Sequence, residues 1–109
     1  FGRSGDNLTV SVPVTFTEAA LGAEIKVPSH RGLPVTGRIP PGTPNGRTFR
    51  VRGKGAPRRS DGLNGDLLVT VEVVVPPKLD NKAREALESY RDATAGDDPR
   101  SELLHRAKG

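Results

Sequence analysis

Leu8, Val10, Val12, Val14 and Phe16 occupy every second position, with Thr9, Ser11, Pro13 and Thr15 between them. That alternation predicts a strand with one buried face. Pro13 has no backbone donor, so the strand should lie at a sheet edge or turn that position away from a neighbour. Thr17 is then placed to cap a helical turn through Glu18, Ala19, Ala20 and Leu21, which Gly22 ends. Glu24 to Val27 and Val35 to Ile39 read as two short strands of a hairpin, joined by the turn-forming run from Pro28 to Pro34.

Regular structure cannot run far through Pro40, Pro41, Gly42, Thr43, Pro44, Asn45 and Gly46, and Asn45-Gly46 predicts a tight turn. Thr48 to Arg52 sets Phe49 and Val51 between charged residues as another strand. A polar loop framed by Gly53, Gly55, Gly62 and Gly65 leads to Asp66 to Val75, the most β-branched stretch of the chain. At Pro76 and Pro77 the pattern changes. Leu79, Ala83, Ala86, Leu87 and Tyr90 recur at helical spacing, with Asp80 as the cap. Gly96 to Pro99 break that helix, and Asp98-Pro99 can start a final short one carrying Leu103 and Leu104.

Composition narrows the function classes. The 109 residues suffice for one small domain, and with 33% hydrophobic residues and no Trp, Cys or Met, the core must rest mainly on Val, Leu, Ile and the three Phe. Without cysteine there is no disulfide framework or thiolate metal site, and His30 and His105 do not make a zinc shell. No apolar run approaches the roughly 20 residues needed to span a bilayer, so a soluble, cytoplasmic protein with no membrane partner is expected. Opening on Phe1, the chain reads as a piece of a longer protein.

Candidate chemistry is sparse. Arg52-Gly53-Lys54-Gly55 lacks the spacing and the Ser or Thr of a phosphate-binding loop, and Asn45, Gly46 and Gly55 are better explained by backbone geometry. His30, His105, Asp61, Asp66, Asp97 and Asp98 fall at turns, caps or the tail, and no nucleophile stands with a base, so no catalytic residue is assigned and no enzyme is expected. The net charge is +4, and Arg47, Arg50, Arg52, Lys54, Arg58 and Arg59 follow one another with no acidic residue between them. A basic β-module binding nucleic acid non-specifically is therefore the alternative reading. Single-strand binders add aromatic stacking platforms, whereas Phe16 and Phe49 sit at core positions here.

Taken in order, Asn7-Leu8, Ala19-Ala20-Leu21-Gly22, Val27-Pro28, Ile39-Pro40-Pro41-Gly42-Thr43, Asn45-Gly46, Phe49 to Gly55 and Gly65-Asp66-Leu67-Leu68, with Pro76 before the helix, resemble the second C-terminal domain of DnaJ-type co-chaperones. Each motif is weak alone, but together they span Phe1 to Leu87. The loop Ser29 to Leu33 departs from the simpler turn usual there, and the tail after Thr94 carries little of the signature.

The resemblance implies a mainly β fold: a small β-sandwich of short strands with one short helix, followed by a C-terminal dimerisation helix. Residues 1–7 would be the lead-in from a preceding β-domain, 8–77 the sandwich, and 78–109 the helical dimerisation segment and tail. It implies a non-catalytic fragment that binds unfolded client proteins, forms a homodimer and supports delivery to a DnaK-type ATPase chaperone through parts absent here. Dimer contacts are expected at Leu79, Ala83, Leu87, Tyr90, Leu103 and Leu104, the alternative being that this stripe packs on its own sandwich. The client-binding residues are not specified, and a largely scaffolding domain is the alternative to a client-binding one. No cofactor is expected in this fragment, zinc belonging to the cysteine-rich module of full-length members. Nucleic acid is not an expected partner.

Overall fold

The computed structural model describes residues 2–29, 34–57 and 63–108. The tip of the predicted hairpin with His30, and Arg58, Arg59, Asp61 and Gly62, lie outside the described residues. Among those described, the order is β1 (Gly2–Ser4), β2 (Asn7–Thr15), α1 (Phe16–Leu21), β3 (Ala23–Val27), β4 (Val35–Ile39), β5 (Thr48–Val51), β6 (Leu67–Val74), α2 (Asn81–Ala93) and α3 (Ser101–Lys108). The chain divides into two compact units, Phe1–Val75 and Pro76–Gly109.

In the first unit, four strands ordered β1-β2-β6-β5 form one sheet and β3-β4 form another. The two sheets pack as a small sandwich. Val14, Val71 and Ile39 gather around Ala19 of α1, and Val27 of β3 lies against Leu67 and Val69 of β6. Leu67, Val27 and Val71 are the largest side chains fully removed from water. The odd-numbered apolar positions of β6 thus meet the second sheet, as its pattern of β-branched residues requires.

β2 pairs with β1 only over Asn7, Leu8 and Thr9, and with β6 in parallel along Leu8 to Thr15. The Leu8 N–H donates to the Asp66 carbonyl at 2.9 Å, which sets the phase of that ladder. Even residues of β2 therefore bond to β6, and Ser11, Pro13 and Thr15 face the open side. Pro13 consequently sacrifices no ladder bond, in agreement with its expected place at an edge. Parallel pairing needs a long crossover, here filled by α1, β3, β4 and β5.

The first helix begins earlier than the sequence pattern suggests. Thr15, not Thr17, is the cap: its hydroxyl accepts from the Glu18 N–H at 3.1 Å, while the Glu18 carboxylate accepts from the Thr15 N–H at 2.9 Å. This reciprocal box ends β2 one residue before Phe16. Phe16 thereby leaves the buried alternation and stands 45% exposed, so its assignment to the core is corrected.

In the second unit Asp80 caps α2 as expected, accepting from the Ala83 N–H at 2.7 Å. Thr94 closes the helix, and α3 follows the break at residues 96–99. No helix among the described residues is long and apolar enough to cross a membrane.

Candidate functional site

Two clusters of motif residues, distant in sequence, meet in space. Ala19 and Ala20 accept through their carbonyls from the Thr43 and Gly42 N–H groups at 2.9 and 3.1 Å. The Thr43 hydroxyl turns back to the Pro40 carbonyl at 2.6 Å, which satisfies a buried polar group. This clamps α1 to the end of β4. Asn45 then accepts through its side-chain oxygen from the Val73 N–H at 2.8 Å, extending the β6 ladder past the end of β5.

The second cluster surrounds Asp66. Its carboxylate receives the Gly53 N–H at 3.0 Å and the Arg50 guanidinium at 2.6 Å, and its own N–H donates to Asn7 at 2.8 Å. The Gly53 N–H, foremost, and then Arg50 hold the Asp66 carboxyl below its ordinary pKa. Beside it, Gly55 donates to the Gly65 carbonyl, Gly65 to the Ala56 carbonyl and Ala56 to the Asp6 carbonyl, at 2.9, 2.7 and 3.1 Å. Backbone approaches backbone so closely that a Cβ on Gly65 would stand 2.6 Å from the Asp6 carbonyl carbon, and one on Gly55 2.6 Å from the Asp66 nitrogen. The glycines at 55 and 65 are therefore steric requirements of this junction, as expected of Gly55 on grounds of backbone geometry.

These two clamps fix β5 from both ends, and beside it opens a cleft of about 370 Å³. Its floor is apolar: Val27, Ile39, Val69 and Val71 are buried, and Ile25, Phe49 and Val51 form half-buried walls. Thr36, Gly37 and Arg38 of β4 and Arg50 and Arg52 complete the lining. A Cβ at Gly37 would come 3.3 Å from Val27 Cγ2, so this glycine leaves room over the floor.

The cleft is bounded by an unpaired strand edge. Among the described residues β5 is the last strand of its sheet, paired with β6 alone. The Val71 N–H donates to the Arg47 carbonyl at 2.9 Å, so residues 47, 49 and 51 bond inward. The backbone N–H and C=O of Thr48 and Arg50 then point to the free side. The edge of β2 is different, because Pro13 has no donor there and the Thr15 N–H is taken by Glu18. An incoming strand therefore has a usable template at β5 and a blunted one at β2.

The sequence signals for this site were the alternations Ile25/Val27 and Phe49/Val51, which mark inward faces without saying that a space lies between them. The residues expected at a dimer contact fall in the second unit. Ala83, Leu87 and Tyr90 share a face of α2; Leu79 precedes the cap and so stands outside the helical stripe. Leu87 is 42% exposed, Tyr90 50%, Leu103 59% and Leu104 54%, and Ala83 is half-buried. No cluster of three or more metal-ligating side chains occurs among the described residues.

Residues 1–76 match the family model described as the DnaJ C terminal domain. The chain belongs to the DnaJ C-terminal domain family. It is 69% identical over its whole length to "Chaperone protein DnaJ 1" of Streptomyces avermitilis, of which it covers 27%. It is 65% identical over the same span to "Chaperone protein DnaJ 1" of Streptomyces coelicolor, again covering 27%. With "Chaperone protein DnaJ 2" of Cutibacterium acnes it shares 62% identity over 100 residues, 92% of this chain and 26% of that protein. The chain thus spans about a quarter of the length of these curated relatives. No observation favours the nucleic-acid alternative, although Phe16 no longer counts against it as a core residue.

Proposed function

We propose that this chain is a client-holding part of a DnaJ co-chaperone: it binds extended apolar segments of non-native proteins in the cleft between β4 and β5 and performs no catalysis of its own. The observation that carries this reading is the apolar floor opening onto the unpaired edge of β5. Backbone hydrogen bonds to Thr48 and Arg50 supply affinity for any sequence, and the floor rewards apolar side chains without demanding particular ones. A holding site needs both properties. In the whole protein the segment would pass to a DnaK-type chaperone in the cytoplasm, and the apolar face of α2, with Leu103 and Leu104, would join two copies so that two weak sites act on one client.

The test is light scattering by a heat-denatured client in the presence of the 109-residue chain. The chain should suppress scattering without nucleotide. Thr48→Pro removes a donor that faces the free side, together with the 2.8 Å hydroxyl contact to Thr70, and should abolish suppression while far-UV circular dichroism shows the fold intact. Equal suppression by a folded Thr48→Pro protein would overturn the assignment to this cleft.

A further inference from the structure

We infer that the segments preferred by the cleft alternate apolar with acidic residues, and that they add as a strand along the free edge of β5. The inference rests on the cleft being the client site and names the sequence class it selects. A strand added to an edge places its side chains alternately on the two faces of the sheet. On one face lies the apolar cleft. On the other lies a polar recess lined by Asp6, Asn7, Asn64, Asp66, Arg50 and Arg52, so the two arginines border both and share the recess with two carboxylates.

Charge decides what the outer positions favour. Among the described residues no carboxylate lines the cleft, and Arg38 stands on its opposite wall. Arg47, Arg50, Arg52 and Lys54 follow one another on and around β5 without an acidic residue between them. Asp66 is paired with Arg50, and both Asp66, just before β6, and Asp6, in the β1–β2 turn, line the recess on the side away from the free edge, behind β5. A strand arriving from the free side therefore meets the cations first. The outer side chains of an acidic alternating segment gain from that field, whereas those of a basic one are repelled.

Three labelled ten-residue peptides test this, each with Leu at every second position and Asp, Ser or Lys between. Fluorescence anisotropy against the 109-residue chain at low salt should rank Asp above Ser above Lys. The outer pair should differ by about tenfold, the size expected when exposed pairs change from attraction to repulsion, and added salt should narrow the gap. A peptide with the same Leu and Asp residues in two blocks should bind several-fold more weakly than the alternating one. Arg38→Gln with Arg52→Gln should bring the Asp and Lys peptides within about twofold of each other.

Binding of all three peptides with equal affinity, or a gap unchanged in the double variant, overturns the inference and leaves the cleft reading standing. Binding of none, or no weakening of any by Thr48→Pro, refutes the cleft reading and the inference together. A single-stranded oligonucleotide that displaces the Asp peptide near physiological salt would assign the arginines to phosphate instead, and would also overturn it.

Discussion

Replacing Gly65 by alanine sets a new methyl group against the backbone of Asp6, 2.6 Å from its carbonyl carbon. Backbone cannot yield there as a flexible side chain would. Relief requires the segment to move away, and the Gly65 to Ala56, Gly55 to Gly65 and Ala56 to Asp6 hydrogen bonds are all at stake. At a net 0.5 to 1.5 kcal/mol each, their loss or distortion costs about 1.5 to 4.5 kcal/mol. A unit of 75 residues has roughly 4 to 11 kcal/mol of stability, so the damage is a large share of the whole. Gly53→Ala is the matched control. Gly53 has φ +74° with open space around its Cβ direction, so the strain is conformational alone. That strain of about 1 to 2 kcal/mol is partly offset by the stiffer unfolded chain, leaving about 1 kcal/mol.

Urea unfolding followed by far-UV circular dichroism measures both variants, since the chain has no Trp and its one Tyr, Tyr90, lies outside the sheet unit. Gly65→Ala should be less stable than Gly53→Ala by at least about 0.5 kcal/mol, with an unchanged slope in denaturant. If Gly65→Ala costs no more than Gly53→Ala, the close approach of Asp6 does not constrain the junction and the reasoning is wrong.

Two further outcomes follow from the same geometry. Because the folded Asp66 carboxyl lies below its ordinary value, its stabilisation is complete above about pH 3.9 and disappears as the pH falls through the lowered folded value. Asp66→Asn should therefore lower the urea midpoint at neutral pH, with the gap to wild type closing in strong acid; a gap of constant size across that range would exclude the ionic contribution. Leu87→Ala should weaken self-association by at least about tenfold in sedimentation experiments, and a wild-type chain that stays monomeric at high micromolar concentration would refute dimerisation through α2.

What the sequence disclosed depended on the range of the interaction. Alternation from Leu8 to Val14 identified a strand and its buried face, and Asp80 and the run from Gly96 to Pro99 marked helix ends, because those are contests within one or two turns of chain. The first helix was misplaced because Thr15 and Thr17 are both competent caps, and only the reach of Glu18 back to the Thr15 N–H distinguishes them. The parallel pairing of β2 with β6 left no local trace, since alternation reports a face and not a neighbour. Gly55 and Gly65 were conspicuous for the opposite reason: the contact is distant, but only glycine tolerates it. The cleft was the least legible feature, for its walls are ordinary strand residues and its opening depends on β5 being last in the sheet.

An unpaired strand edge beside apolar surface is also an invitation to self-association. The β2 edge escapes it with Pro13 and the capped Thr15, and β1 is only three residues long. β5 has neither protection, yet a proline there would remove the donor that a holding site needs. Its safeguard is electrostatic. A second copy approaching edge to edge would bring its own Arg47, Arg52 and Lys54 against the same three cations, Arg50 being paired with Asp66, and like charges across an interface suppress the wrong partner. Single negative charges on an incoming segment reverse that sign. If β5 holds clients as proposed, the basic stretch that first suggested nucleic acid would have a physical role there: it would keep β5 open to foreign strands and closed to its own.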